Sequence, residues 1–508
     1  MPRTTLLVSL VLALAGTAGA AEACAQPAVV DEAKLNSVCP PTKGNCQSLV
    51  LHNVCIVQET FVVFAPEDAD AHPDGTSSSL TDAAKAFDVT DVAAWFRHAS
   101  PQKMEEMAHV AHHPHEHGSA VLGHQIAHTP LQVRYAAAHE ADAAPEFDAC
   151  VTPVVTWSTW VFNLGETFLR LPTNVRRLQE AGAFTHPWYV PVTPLKLPLE
   201  GFHEWMLSPF SKNTSRLVSL FEFSDVRHTH QGAADDVEHE ACFSTVVLLK
   251  LVGGGYPDLP KAADEIAKHY APLLPAQSLW NSTGDNATTR VVFETRPNLA
   301  QRQFRNLSAV LAACGADRRF ECTTRTFGTP PGGMLTDMAV MRDADVLVAY
   351  HGAGEMNSLW MRQGAALLEV RGREFGSTHG WWPAFWWPMI GMQTEHVRQF
   401  WGLNVEDPAR NEDSELQRLG VEHNPGFNAR DRCVVLHWEQ MLLPMLDKIL
   451  PFVREAPDQA VAKYRALYGP HGTGVIWQLN TSGLPLELQP PVFCDGDCKT
   501  LDVTCKPC

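Results

Sequence analysis

Apolar and polar positions along this chain switch between two periods, and the switches mark its elements. Leu49–Phe64 (LVLHNVCIVQETFVVF) reads as two β-rich runs joined at Gln58-Glu59, hence a hairpin or two adjacent strands. From Thr152 a short strand leads through a turn at Asn163-Leu164-Gly165 into a helix over about Glu166–Ala181. There Phe168, Leu169, Val175 and Leu178 fall near one face and Pro172 introduces a kink. Ser244–Val252 is continuously apolar and of strand length, as in a buried parallel strand, and Gly253-Gly254-Gly255 ends it. Further on, Arg290–Glu294 reads as a strand, Phe304–Cys314 as a helix, and Val346–Tyr350 as a buried strand. Glu355–Met361 then reads as a short helix and Ala366–Val370 as a second buried strand. That last succession is β-α-β with a short crossover, which predicts parallel, right-handed pairing. Two such halves, joined by a polar linker at Asn281–Thr289, predict an α/β chain of two Rossmann-like, doubly wound domains facing a cleft.

One stretch has no such period. Ala65–Ala149 is rich in Ala, Asp and His and carries ten histidines, eight of them between 109 and 139: His109, His112, His113, His115, His117, His124, His128 and His139. His113-Pro114-His115-Glu116-His117 has no helical i,i+4 register, so the segment reads as a solvated insertion rather than a metal site.

Composition narrows the picture. The chain has 508 residues, 45% hydrophobic, enough for a sizeable core, and its net charge of −18 argues against nucleic-acid polymers as partners. Arg3, the apolar run Leu6–Ala15 and the small residues up to Ala20 have the layout of a secretory signal, with cleavage after Ala20 or Ala23. The competing reading is an uncleaved anchor over Thr4–Ala21, and only then would the chain contact a membrane. Either way the bulk of the chain is expected in an oxidising lumen of the secretory pathway. Two other features agree: N-x-S/T triplets begin at Asn213, Asn281, Asn286, Asn306 and Asn480, and most of the 13 cysteines cluster. Cys39, Cys46 and Cys55, and the tail residues Cys494, Cys498, Cys505 and Cys508, read as disulfide staples. The tail spacing is poor for zinc.

The strongest chemical signal lies in residues 343–372. A buried strand runs into His351-Gly352-Ala353-Gly354 and a helix begins at once. Small residues at a strand's carboxyl end admit close approach by a ligand. The helix start offers unpaired N–H groups and a positive dipole end, which suits a diphosphate. Glu369 ends the next strand, where a carboxylate can accept from ribose hydroxyls. The same residues also suit a bare tight turn with a surface acid.

HGAGEMNSLWMRQGAALLEV resembles the signature segment of glycosyltransferase family 61. Gln363-Gly364-Ala365 and Glu369 stand where that family has its "Pro-Gly-Ala-x-x-x-Glu" strand. Three more segments follow the family's order: His52-Asn53-Val54-Cys55-Ile56, Ala241-Cys242-Phe243 through Val247, and Arg296 through Arg302, Arg305 and Asn306. The resemblance spans roughly residues 49–450. It implies a lumenal GT-B enzyme that moves a sugar from a nucleotide diphosphate with inversion. The donor would be a UDP-sugar co-substrate carrying xylose, arabinose or N-acetylglucosamine. The acceptor would be a polysaccharide or glycoprotein, with the Golgi as the expected site, or the ER, and secretion possible. No tightly bound cofactor or metal is implied. On this resemblance Arg296, Arg302, His351, Gly352, Ala353, Gly354, Asn357 and Glu369 form the donor site, with His351 also a candidate for catalysis. Glu166 stands where the family usually has a histidine base, so it is the candidate base here. The implied organisation is a signal at 1–20, a stapled lead-in at 21–64, the insertion at 65–149, and the rest of the acceptor-side domain at 150–280. A donor-binding domain at 290–455 and a Cys-containing extension at 456–508 complete it.

Two further motifs carry less. Asp343-Ala-Asp345 and Asp68-Ala-Asp70 mimic a DxD metal clamp, but Asp345 leads into a buried strand rather than a cleft. Trp381, Trp382, Phe385, Trp386 and Trp387 read as core filling more readily than as sugar stacking. The competing function is a catalytically impaired lumenal protein that binds a glycan or nucleotide sugar. It is motivated by Glu166 and by Glu355, whose charge would oppose a diphosphate. A dinucleotide oxidoreductase is disfavoured by the missing Gly-x-Gly-x-x-Gly.

Overall fold

The computed structural model describes residues 26–41, 46–57, 60–64, 132–136, 145–158, 164–192, 201–211, 241–251, 258–275, 288–296, 302–328, 333–373, 399–414, 432–468, 475–479 and 489–492, with a few single positions between them. The signal segment, nearly all of the His-rich insertion, the Trp-rich stretch at 381–387 and the cysteine tail lie outside these residues. So do Asn163, Asn213, Asn281, Asn286 and Asn480.

Alternating and continuous apolar runs build two main sheets. β1 (Cys46–Val57), β2 (Thr60–Phe64), β3 (Gln132–Ala136), β4 (Thr152–Ser158), β5 (Pro187–Pro191) and β6 (Ala241–Leu251) form the first, in the order β3-β2-β1-β6-β4-β5. β1 and β2 pair antiparallel, as expected, with Val57 opposite Thr60. The continuously apolar β6 lies parallel to β4, as its buried run predicts, but antiparallel to β1. This half is therefore a mixed sheet rather than the uniformly parallel one that a Rossmann-like unit implies.

The second sheet holds β7 (Thr289–Glu294), β9 (Phe320–Arg325), β10 (Val346–Tyr350), β11 (Ala366–Arg371), β12 (Gln399–Val405), β15 (Val475–Leu479) and β16 (Gln489–Val492). Their order is β16-β15-β12-β11-β10-β7-β9, and all pairs are parallel except β15 with β16. β8 (Phe304–Arg305) belongs to a small third sheet with β13 (Asn411–Glu412) and β14 (Cys433–Val435). The helix predicted from Phe304 starts at Leu307 instead, because β14 draws Phe304 and Arg305 into pairing and Asn306 turns the chain with φ +62°.

Period-2 alternation buries both faces of the second sheet. Leu347, Ala349 and Leu367 enter one apolar cluster, while Val346, Val348, Tyr350, Leu368 and Val370 enter another. The Leu307–Ala316 and Leu443–Val453 helices cover the second face, and the Gly333–Arg342 helix covers the first. The sheet is thus doubly wound, with β7 followed outward by β9 on one side and by β10 on the other. The first cluster also takes residues from the other half, namely β4, β6 and the Leu164–Ala181 and Leu259–Tyr270 helices. Phe168 and Trp205 both meet Trp360 edge-on, with ring centroids 5.6 and 4.8 Å apart. The Leu164–Ala181 helix continues through Pro172, and Thr173 Oγ1 and Asn174 Nδ2 donate to Leu169 and Arg170 carbonyls beside it.

Three disulfides join described cysteines: Cys39–Cys46, Cys55–Cys242 and Cys314–Cys322. The first of these is a local staple of the kind expected, and the second ties β1 to β6. Cys150 is also oxidised, whereas Cys433 is free and buried. No described helix is long and apolar enough to cross a membrane.

Candidate functional site

The chain path fixes where a ligand can sit. In an open parallel sheet, ligands bind beyond the carboxyl ends of strands at the point where the winding reverses. Here that point lies between β7 and β10. β7 ends in Glu294 and leads to Arg296, and β10 ends in Tyr350 and leads to His351-Gly352-Ala353-Gly354. The sequence-predicted residues Arg296, Arg302, His351, Gly352, Ala353, Gly354 and Asn357 are therefore brought to one place.

Both arginines converge on one carbonyl. Arg296 Nη2 donates to the oxygens of Tyr350 and His351 at 3.0 and 3.3 Å, and Arg302 Nη1 reaches the His351 oxygen at 3.5 Å. Arg296 Nε also pairs with Glu294 Oε1 at 3.2 Å, and Glu294 Oε2 accepts from Tyr350 N–H. Arg302 achieves its reach with φ +54°, an uncommon conformation for a side-chain-bearing residue. The glycines have an explanation here. A Cβ on Gly352, which has φ +155°, would sit 2.5 Å from Arg296 Nη2. The close approach that Gly352 permits is thus made by a guanidinium.

Beneath this layer is a buried ionic cluster. His351, Glu355, Asn357, Ser358, Glu369 and Arg371 are all at most 1% exposed. His351 Nδ1–H donates to Glu369 Oε1, and Arg371 Nη2 donates to Glu369 Oε2. Glu369 lies within β11 rather than at its end, on the face shared with Leu367 and Arg371. Both its oxygens are engaged, so it supports His351 from below instead of standing open to a ribose. Burial works to raise the Glu369 carboxyl, but Arg371 and His351 outweigh it and hold the group at about 2. Burial lowers the His351 imidazole to about 4 despite Glu369, so the ring is neutral at physiological pH.

Glu355 contrasts with Glu369. Burial, then Glu369 and Glu294, push its carboxyl well above the usual range. Neither of its oxygens has a hydrogen-bond partner among the described residues, and the same holds for Asn357 Oδ1, Ser358 Oγ and Trp360 Nε1. Asn357 Nδ2 is used, donating to the Gly354 carbonyl. Ala353–Trp360 is a 3-10 helix, so this short element concentrates buried polar atoms that lack partners. Donor atoms of His351, Glu355 and Glu369 lie within 4.8 Å of one another, close enough to hold a cation. Arg371 pairs with Glu369, and Arg371 and Arg296 both act on Glu355, so guanidinium charge already faces this trio.

The remaining sequence candidates fall elsewhere. Glu166 stands in the first turn of the Leu164–Ala181 helix, two residues before Phe168, whose ring packs on Trp360. Asp345 lies at the amino end of β10, where it accepts from Arg290 N–H and the Arg362 guanidinium. Asp343 pairs with Arg342, so the 343–345 pair has structural roles. Asn306 is exposed, and its Nδ2 donates to the Leu436 carbonyl. Sequence reasoning missed Glu294, Arg371 and Tyr350. Their signal was a charged or hydroxylated residue within or closing an otherwise apolar strand.

Residues 160–368 match the family model for Glycosyltransferase 61, which bears out the resemblance over the segment that carries Arg296, Arg302 and the His351–Asn357 turn. The match supports glycosyl transfer as the general activity, and the disulfides fit a protein of the secretory pathway. No curated protein matches the chain.

Proposed function

From a Glycosyltransferase 61 segment that holds the whole arginine–histidine turn, we infer an inverting, nucleotide-sugar-dependent glycosyltransferase of the secretory pathway, GT-B in arrangement and resident in the Golgi. The observation that carries this reading is the convergence of Arg296 and Arg302 on the His351 carbonyl, at the carboxyl ends of β7 and β10. Two guanidiniums at a winding switch point suit a diphosphate, and their charge offsets the negative charge that grows as the leaving group departs. In the transfer, an acceptor hydroxyl oxygen bonds to the anomeric carbon while the carbon–oxygen bond to the diphosphate breaks. The nucleoside diphosphate keeps that electron pair. Glu166 is the base that takes the acceptor proton, on the helix that packs against the 3-10 turn. His351, neutral and tied to Glu369, orients the turn and does not serve as an acid. Burial pushes the Glu355 carboxyl well above its ordinary range, which lessens the charge that it sets against the diphosphate.

The test is to offer the purified lumenal chain a panel of nucleotide sugars and follow sugar transfer and donor hydrolysis. Turnover with one donor, abolished in Glu166→Gln, is expected. Donor binding without turnover, unchanged by Glu166→Gln, would instead identify a lumenal nucleotide-sugar-binding protein.

A further inference from the structure

Three glutamates lie in the core of the site, and two of them have a counter-ion. Glu369 is held by Arg371 and His351, and Glu294 by Arg296 and the Tyr350 N–H. Glu355 is fully buried in the first turn of the Ala353–Trp360 helix, and no described group donates to either of its oxygens. The charges that act on it are the repelling Glu369 and Glu294 and the attracting Arg371 and Arg296, while Arg302 approaches the same turn at His351. On its other flank the helix meets apolar side chains of one cluster: Phe168, Ile266, Met338 and Met341. On those covering helices Asp337 pairs with Arg325, and Arg176 with Glu265 and Asp258; the same helices also carry Arg170 and Asp264.

Leaving a carboxylate in such a place without a donor is far costlier than leaving a carboxylic acid there. With Glu355 protonated and His351 neutral, three guanidiniums (Arg296, Arg302 and Arg371) face two carboxylates (Glu294 and Glu369). With Glu355 ionised, the charges cancel. Because Glu355 has no exposed surface, it acts on a ligand through its field rather than by contact, and a poorly solvated interior carries that field well. We propose that Glu355 is a proton-controlled gate on the diphosphate pocket: its protonated form admits the anion at Arg296 and Arg302, and its ionised form excludes it. This rests on the reading of the site as a diphosphate pocket. Glu355 is a positioning residue in this role, since it touches neither donor nor acceptor.

The experiment uses the mature chain and its Glu355→Gln and Glu355→Leu variants, with inorganic pyrophosphate and UDP as probes. Dissociation constants are measured by calorimetry across the neutral and alkaline range. Each probe's own titration is common to all three proteins and cancels in the comparison. Relative to both variants, the parent is expected to lose affinity by up to about tenfold per pH unit once Glu355 ionises. In ligand-free melts the parent is also expected to lose stability relative to Glu355→Gln as pH rises above the ordinary glutamate range. The native state retains there a proton that the unfolded chain releases.

Parallel pH profiles in parent and variants, or a stability difference that does not change with pH, would overturn the gate while leaving the nucleotide-sugar reading intact. A pH-gated affinity for pyrophosphate, with UDP and nucleotide sugars bound no better, would support the gate and remove the nucleotide-sugar reading. Binding of neither probe by any of the three proteins would remove both. A stoichiometric divalent metal in the parent, absent from Glu355→Gln, would also overturn the gate.

Discussion

The carboxylate of Glu294 fills the space that a side chain on Gly354 would need: a Cβ there would lie 2.7 Å from Glu294 Cδ. Glu294 in turn holds Arg296 and the Tyr350 N–H, so one missing methyl group lets the end of β7 lock onto the turn after β10. Gly354→Ala is expected to displace Glu294, cost about 1–3 kcal/mol in urea denaturation and weaken UDP binding. Gly315, in a helix with nothing within 4 Å of its would-be Cβ, provides the control, and Gly315→Ala is expected to stabilise by up to about 1 kcal/mol. Equal behaviour of the two variants would contradict this account.

Arg371 and Glu369 are both fully buried and bonded to each other. Removing one partner strands the other charge, so Glu369→Leu or Arg371→Met alone is expected to destabilise by about 3–5 kcal/mol. The double variant should recover part of that loss. A double-mutant cycle from urea melts checks this, and strict additivity would show that the pair is uncoupled.

The His351 imidazole sits near 4, below its ordinary value because of burial. As pH falls from the ordinary imidazole range toward about 4, the unfolded chain takes up a proton that the native ring refuses, and stability drops. The slope from this group is at most about 1.4 kcal/mol per pH unit. His351→Gln keeps a side-chain donor but does not titrate, so its melts should lack this component. Glu369, held at about 2, loses its stabilising contribution only at lower pH, from the ordinary carboxylate range down to about 2.

Cys55–Cys242 closes a loop of sequence separation 187, whereas Cys314–Cys322 spans 8. Loop-closure entropy predicts that replacing the first pair by serine costs more than replacing the second, within a range of about 2–5 kcal/mol. Guanidinium denaturation of the two double variants checks the ranking, and a larger loss from the Cys314–Cys322 pair would reverse it.

What the sequence revealed and what it hid follow from range. The buried strands β10 and β11, the glycine turn between them and the β1–β2 hairpin were readable because each is set by residues a few positions apart. The fold brings Arg296, Arg302 and His351 together, but the geometry in which they meet is not legible in the sequence. Reading them as open ligand contacts missed that Arg296 packs onto Gly352 and that Glu369 faces inward. Those arrangements join residues tens of positions apart, such as Glu294 with Tyr350, and only sheet register brings them together. The mixed pairing of β6 was hidden for the same reason, since an apolar run of strand length does not declare the direction of both neighbours.

The aromatic contact of Phe168 and Trp205 with Trp360 has a consequence for how this polypeptide can be divided. Trp360 belongs by sequence to the unit that carries the arginines, yet the two aromatic rings that meet it, Phe168 and Trp205, lie before residue 210. A fragment beginning at β7 would carry the arginines and the His351–Asn357 turn and still lose the two ring contacts that cover Trp360. The half that carries the arginines is therefore expected to expose Trp360 when expressed alone, because part of the cover for that ring is encoded in the other half.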